Sequence, residues 1–169
     1  MSNSFIFRLF RLIILLVVQV LILNHLHLLG YATPLIIGYM LTCFRSGTSR
    51  ISLLLWGFVT GVLFDMFTNT SGIGAASCTL LAMIQPSLLQ LFIPRDAPDE
   101  FEPTLANMGP GRFFSYILIA MFVLHSAFYF LDAFSLSDWL LTLVAVFGGS
   151  VLSAVIILFV ELLTRRRIR

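Results

Sequence analysis

Long apolar runs separated by short polar segments make up nearly the whole chain. A helix needs about 20 mostly apolar residues to cross a hydrocarbon core of about 30 Å. The pattern contains six such runs, of which the second is short. We therefore predict an all-α polytopic membrane protein whose six transmembrane helices form one domain over residues 1–169. The predicted helices cover about 10–28, 31–44, 51–67, 73–93, 113–131 and 139–163.

Three of these runs carry features that bear on their interpretation. Arg8 and Arg11 followed by an apolar run resemble the start of a signal peptide, but the run continues to His27 without a cleavage site, which favours an uncleaved anchor. The second run is predicted to begin at Pro34, since proline suits the first turn of a helix. In the fourth run, Pro86 is expected to kink the helix inside the membrane.

The composition agrees with a protein that is solvated by lipid. Hydrophobic residues make up 59% of the chain and charged residues 11%, against roughly 25% charged in an ordinary soluble domain. The one sizeable polar stretch, 94–112, contains four acidic residues with several prolines and glycines, and it is predicted to be a loop. Cys43 and Cys78 lie in apolar runs without metal or redox spacing and are interpreted as small buried hydrophobes.

The ten basic residues predict the topology. All ten are arginines, and short cytoplasmic loops are enriched in arginine and lysine. On the six-helix map every arginine falls on one side, while the three opposite connections, around 24–33, 68–72 and 132–138, contain none. Both termini and loop 94–112 are therefore predicted to be cytoplasmic. The arginines are Arg8, Arg11, Arg45, Arg50, Arg95, Arg112 and the C-terminal basic anchors Arg165, Arg166, Arg167 and Arg169.

Ionisable residues inside a membrane are costly and mark candidate functional positions. Asp65 and His125 are predicted at similar depth in the outer half of the membrane, on the third and fifth predicted helices. We expect Asp65 either to hydrogen-bond His125 or to cap N–H groups near Gly72, while the ordinary alternative is that it reaches outer water. Glu161 lies four residues before Arg165, which is typical of an interfacial ion pair.

Small residues indicate close helix packing at two places. Gly57, Gly61 and Asp65 recur every four residues along one stripe of the third predicted helix, and a second small surface on the sixth consists of Gly148, Gly149, Ser150 and Ser153. Such stripes let another helix backbone approach, either within this chain or from a partner. The glycines after the outer turn, Gly72 among them, could in principle expose N–H groups to an anion, but a tight turn is favoured because no arginine lies on that side.

The sequence contains no nucleophile and base arrangement, metal-ligand cluster or phosphate loop, so neither a cofactor nor a metal is expected. His25 and His27 are two residues apart, a poor spacing for two ligands on one helical face. Nucleic acid is excluded as a main partner because the arginines are spread over short segments. The C-terminal group alone is dense enough to attract anionic membrane lipid or an acidic protein surface.

The segment 57–67 resembles the MreD family of rod shape-determining membrane proteins, in a form similar to that of the Bacteroidetes. The resemblance continues through the chain, although the turn 68–71 is longer and more polar than the family's usual continuation. MreD-like proteins in turn resemble the substrate-binding components of energy-coupling-factor transporters, which implies a bundle of that kind. The residues that carry the resemblance are 57–67 (GFVTGVLFDMF), Gly72, Ala75, Pro103, Thr104, Phe113, His125 and 134–136.

The resemblance implies a non-enzymatic scaffold of the cell-elongation machinery in the bacterial inner membrane. Such a scaffold binds MreC and, through it, MreB, RodA and the penicillin-binding peptidoglycan synthases, with the small-residue surfaces of the third and sixth helices offered to MreC. The alternative is a small-molecule carrier with a pocket on the outer side between the first, third and fifth helices. An intramembrane enzyme is the least favoured class.

Overall fold

The computed structural model describes residues 2–21, 33–94, 97–98, 100–132 and 139–166. These residues form helices without strands. A single 3₁₀ turn, Ile36–Gly38, precedes the second helix. The helices are α1 (Ser2–Leu21), α2 (Tyr39–Thr42), α3 (Arg50–Thr68), α4 (Ile73–Phe92), α5 (Leu105–Met108), α6 (Pro110–Asp132) and α7 (Trp139–Arg166).

Four of the described helices, α3, α4, α6 and α7, are long and apolar enough to cross a membrane. They correspond to the third, fourth, fifth and sixth predicted helices, with ends that agree within three residues. The structure thus confirms an all-helical fold with four candidate spans. Pro86 lies within α4, whose helix runs unbroken from Ile73 to Phe92.

The first helix begins earlier than predicted. It runs over Ser2–Leu21 rather than from residue 10, and the predicted end at 28 lies outside the described residues. A hydropathy pattern locates the apolar residues of a helix, but it does not show the further helical turns that precede the apolar run. Here the helix extends past Arg8 and Arg11, whose guanidinium groups lie over the rings of Phe44 and Tyr39 at 4.7 and 5.6 Å from the ring centroids.

The second predicted helix, 31–44, is wrong in its extent. Within residues 33–44 only the 3₁₀ turn and α2 are helical, and residues 33–35 are extended. Seven helical residues span about 11 Å, so these residues cannot cross the 30 Å hydrocarbon core as a helix. This segment, which we call the broken segment (33–44), lies against α1: Pro34 and Ile36 bind Gln19, whereas Phe44 contacts Arg8. It therefore runs antiparallel to α1 inside the bundle.

Neighbouring helices along the chain pack against each other, α3 on α4, α4 on α6 and α6 on α7, with α1 on α3 and the broken segment. The interior is mainly apolar with a few buried polar side chains, and the broken segment contributes residues from Pro34 to Thr42 that are all buried. The outward faces of the long helices are also apolar, for example Phe58, Leu91 and Phe147. An apolar exterior of this kind requires lipid as its solvent.

The described part of loop 94–112 folds onto one end of the bundle instead of extending away from it. Phe101, Leu105 and Met108 are buried in the same apolar core as the long helices. The Ser46 N–H donates to the Phe101 carbonyl at 2.9 Å, which ties the loop to the connection between α2 and α3. Since Arg45 lies in that connection and Arg50 begins α3, the described part of the loop and these arginines lie at the same end of the molecule.

One buried hydroxyl predicts a stabilising substitution. The Thr60 side chain is fully buried, and its Oγ1 has no hydrogen-bond partner among the described residues. Thr60→Val keeps the shape and removes an unsatisfied polar atom, so we expect the free energy of unfolding in detergent to rise by about 1 kcal/mol. The matched control is Thr79→Val, because the Thr79 hydroxyl donates to the Ala75 carbonyl at 2.7 Å. A gain at Thr79 equal to that at Thr60 would contradict the argument.

Candidate functional site

The glycine stripe of α3 lies against α4. A Cβ atom on Gly57 would be 2.7 Å from the Ala82 Cβ, and a Cβ on Gly61 would be 2.4 Å from the Ala75 Cα. Both distances are shorter than atoms can approach, so the two helix backbones touch along this line. The stripe therefore forms an internal packing surface, which is one of the two uses that its spacing allows.

Asp65 holds the beginning of α4. Its Oδ1 accepts hydrogen bonds from the Gly74 N–H at 2.8 Å and from the Thr70 hydroxyl, and its Oδ2 accepts from the Ala75 N–H at 2.9 Å. These N–H groups belong to the first turn of α4, where helical partners are missing and the helix dipole favours a negative charge. The prediction that Asp65 caps N–H groups near Gly72 is thus confirmed.

The turn between α3 and α4 supplies the geometry for this cap. Asn69 adopts the left-handed conformation with φ of 57° and ends α3, and Gly72 has φ of 84°. The Gly72 N–H donates to the Thr70 carbonyl at 2.8 Å. Gly72 therefore serves a tight turn, as favoured from the sequence, and the N–H groups that could have met an anion are bound to Asp65.

The predicted hydrogen bond between Asp65 and His125 is wrong. His125 is fully buried, and its ring nitrogens face the Met121 carbonyl at 2.8 Å and the Ser153 hydroxyl at 3.4 Å. The Ser153 Oγ accepts from the Leu35 N–H at 2.9 Å and lies 3.4 Å from His125 Nε2. His125 thus joins α6 to α7, whose Ser153 also binds the broken segment. The prediction failed because similar depth in the membrane does not specify which side of a helix a residue occupies.

The second small-residue surface is divided between the interior and the exterior. Gly149 is buried, and a Cβ on it would be 2.5 Å from His125 Cδ2, while Gly148 is exposed. We expect Gly149→Leu to displace His125 and to cost about 1 to 3 kcal/mol of stability. Gly148→Leu, the matched control, should leave the unfolding midpoint in detergent unchanged. Equal effects of the two variants would contradict this placement.

The broken segment depends on polar side chains from other helices, which sequence reasoning missed. Gln19 of α1 donates to the Pro34 carbonyl and accepts from the Ile36 N–H, both at 2.8 Å. Tyr129 of α6 accepts from the Thr33 N–H at 3.0 Å. These contacts, with that of Ser153, replace the hydrogen bonds that a continuous helix would make. The sequence did contain a signal for these contacts, namely isolated glutamines within apolar helices, such as Gln19.

The other end of the broken segment is held in the same way. The Tyr116 hydroxyl donates to the Thr42 carbonyl at 3.0 Å. Gln85 Nε2 lies 3.3 Å from the Phe44 carbonyl and 3.1 Å from the Tyr116 oxygen. Gln85 and Tyr116 are both buried, so α4 and α6 together satisfy the carbonyl groups where the segment leaves the bundle.

Glu161 has a partner that the sequence analysis did not predict. Its Oε2 accepts a hydrogen bond from the Tyr39 hydroxyl, which joins α7 to α2. The predicted ion pair of Glu161 with Arg165 stays a prediction, because the Arg165 side chain lies outside the described residues. The same holds for the basic anchors at 166, 167 and 169, and for His25 and His27. The ring of Tyr39 also lies under Arg11, so Tyr39 is in contact with one basic and one acidic residue.

The cavities lined by described residues include the following three. One of about 490 Å³ lies at the end of the bundle covered by loop 94–112, beside Arg45 and Glu102. Another of about 560 Å³ is an apolar groove between α3 and α4, and a third of about 450 Å³ is an apolar groove between α4 and α6. All three differ in position from the pocket expected for a carrier, which would lie between α1, α3 and α6.

Comparison of the chain with protein-family models, with curated proteins and with solved structures finds no match.

Proposed function

We propose that this chain is a non-enzymatic scaffold of the bacterial cell-elongation machinery that binds MreC and, through it, MreB, RodA and the penicillin-binding peptidoglycan synthases. The proposal rests on the resemblance of segment 57–67 to the MreD family. It is supported by the hydrogen bonds that the buried polar side chains make. Gln19, Gln85, Tyr116 and Ser153 are bound to the chain's own broken segment.

This use of polar groups is the observation that favours a scaffold over a carrier. A carrier presents unoccupied polar groups to a solute inside a preformed cavity. Here the broken segment fills the space between α1, α6 and α7, and its residues from Pro34 to Thr42 are buried. A vitamin-like solute would have to displace this segment and break its hydrogen bonds to α1 and α7.

The same packing disfavours an enzyme. The Ser153 and His125 side chains lie within hydrogen-bond distance, as a serine nucleophile and its base would. However, both residues are fully buried, and the Ser153 oxygen already accepts the Leu35 N–H. A substrate carbonyl cannot approach that oxygen, so the pair serves helix packing.

The proposed topology has six passages of the inner membrane, with both termini in the cytoplasm. The second passage is the broken segment, which runs antiparallel to α1 and leads from the level of Gln19 to that of Arg8. This arrangement keeps Arg45, Arg50 and Arg112 on the cytoplasmic side, as the positive-inside rule requires. The turn with Asp65 and Gly72 then faces the periplasm.

Single-cysteine labelling tests this topology. Ser71→Cys and Ala106→Cys, each in a background of Cys43→Ala and Cys78→Ala, place one exposed thiol at each end of the bundle. A membrane-impermeant maleimide added to cells with a permeabilised outer membrane should label Ser71→Cys and leave Ala106→Cys unlabelled until the inner membrane is lysed. Labelling of Ala106→Cys in sealed cells would contradict the proposed orientation, in which loop 94–112 is cytoplasmic.

Co-purification tests the function. The full-length chain, tagged and extracted in mild detergent, should retain MreC, while a polytopic control protein with the same tag should not. A carrier would instead show a ligand-dependent rise of the unfolding midpoint when a panel of vitamins is added. If MreC were absent from the purified material and such a rise were observed, the carrier hypothesis would replace the scaffold hypothesis.

A further inference from the structure

Arg8 of α1 has an aromatic support but no anionic partner. Its guanidinium lies over the Phe44 ring, 4.7 Å from the ring centroid, and Phe44 in turn packs against Trp56 of α3 with 6.3 Å between the ring centroids. Among the residues that the structure describes, no carboxylate or carbonyl accepts a hydrogen bond from this guanidinium. A guanidinium has five N–H donors in a rigid fork, and those of Arg8 are left to an acceptor outside the chain.

The neighbours of Arg8 on α1 show the level at which that acceptor lies. Ile6 and Phe10, two residues to either side, are 62% and 61% exposed. Two residues correspond to about 3 Å along a helix axis, so apolar side chains face outward just above and just below Arg8. Such side chains require lipid as their solvent. Because Arg8 is also near the start of α1, its guanidinium lies where the acyl chains meet the phospholipid headgroups.

The other described arginines at this end of the bundle differ from Arg8 in their surroundings. Arg45 is paired with two glutamates, and Arg11 lies over a ring whose hydroxyl is bound to a carboxylate. Arg50 and Arg112 are exposed at the beginnings of α3 and α6, where water solvates them. Arg8 instead is only partly exposed, is supported by a buried ring and has no carboxylate beside it.

We propose that Arg8 binds the headgroup of an anionic phospholipid in the leaflet at this end of the bundle. Arginine recognises a phosphate through paired, charge-assisted hydrogen bonds, which are about twice as strong as neutral ones. A headgroup with a net negative charge is favoured over a zwitterionic one, whose own cation competes with the guanidinium for the phosphate. The site does not depend on MreC.

The bound lipid joins three elements of the fold. Arg8 belongs to α1, Phe44 to the end of the broken segment and Trp56 to α3. The guanidinium can meet a headgroup at its edge while its face stays on the Phe44 ring, so the lipid holds α1 in place against the other two elements. A ligand that binds only the folded state raises the unfolding midpoint, and the anionic lipid therefore stabilises the bundle. The sequence indicated lipid binding for the C-terminal arginines by their density, whereas Arg8 is distinguished by contacts that no sequence pattern shows.

The test titrates the full-length chain, delipidated in an uncharged detergent, with phosphatidylglycerol or with phosphatidylcholine and measures each Kd by native mass spectrometry. Wild type should bind phosphatidylglycerol about tenfold more tightly, as expected for one hydrogen-bonded charge pair, and Arg8→Gln should lose most of this preference. Arg112→Gln, the same loss of charge at an exposed position of the same end, is the matched control and should keep the preference. Phosphatidylglycerol should raise the unfolding midpoint of wild type, while inorganic phosphate should leave it unchanged.

A second arm uses the wild-type chain alone, so that it decides the matter even if Arg8→Gln does not fold. Phosphatidylglycerol with a photoreactive headgroup should cross-link to the first half of α1 and to residues 44–56. Cross-links confined to other parts of the chain would overturn the site, as would equal binding of the two lipids or a preference that survives Arg8→Gln. An equal loss in Arg112→Gln would show attraction by net charge alone, and stabilisation by inorganic phosphate would show a site for a free anion; either result would also overturn the proposal.

Discussion

Gly61→Leu should prevent the protein from accumulating in the membrane. A Cβ at this position would already be 2.4 Å from two backbone atoms of α4, the Ala75 Cα and the Gly74 carbonyl oxygen. Backbone cannot move aside as a flexible side chain can, so α3 and α4 would have to separate along their whole contact. We expect a loss of about 3 kcal/mol or more, at the upper end of overpacking effects.

Two measurements check this result. The membrane level of a tagged variant is compared with wild type, and the unfolding midpoint of any extracted protein is followed in detergent. Gly111→Leu is the matched control, because a Cβ on Gly111 meets no atom within 4 Å. Normal abundance and stability of Gly61→Leu, with loss of MreC alone, would show that the stripe faces a partner instead of α4.

Asp65→Ala should cause the second large loss. It leaves the buried N–H groups of Gly74 and Ala75 without the carboxylate that accepts them. An unsatisfied buried donor costs about 1 to 3 kcal/mol, so a total of about 3 kcal/mol is expected. Thr70→Val, which removes only the hydroxyl that donates to the same carboxylate, should cost about 1 kcal/mol.

The control for Asp65 is Asp132→Ala, which removes an exposed carboxylate near the end of α6. The free energy of unfolding in detergent is measured for the three variants beside wild type. The expected order of destabilisation is Asp65→Ala, then Thr70→Val, then Asp132→Ala. If Asp65→Ala were as stable as Asp132→Ala, the carboxylate would contribute nothing to the beginning of α4.

The positions of the long helices could be read from the sequence because each depends on a local property. A run of apolar residues is visible without knowing its neighbours, and α3, α4, α6 and α7 appear where hydropathy predicts them. The cap by Asp65 was also accessible, since donor and acceptor are only nine and ten residues apart. Local spacing and helix-end chemistry were sufficient there.

The remaining contacts depend on which faces of distant helices meet. The stripe with Gly57 and Gly61 predicted close approach, but nothing in the spacing says whether the approaching backbone belongs to α4 or to another protein. His125 was assigned the wrong partner for the same reason. The broken segment was harder still, because its apolar composition resembles that of a helix, while its backbone partners come from Gln19 and from residues more than 90 positions away.

The dependence of the broken segment on distant residues sets an order for biogenesis. Its Leu35 N–H is accepted by Ser153, 118 residues further along the chain, and its Thr33 N–H by Tyr129. During synthesis these partners emerge after α3 and α4, so residues 33–35 cannot enter lipid with their N–H groups satisfied as they leave the ribosome. The segment must be shielded by the insertion machinery or wait at the interface until α7 arrives. A chain truncated before α7 would thus lack both its last helix and the Ser153 hydroxyl that accepts the Leu35 N–H.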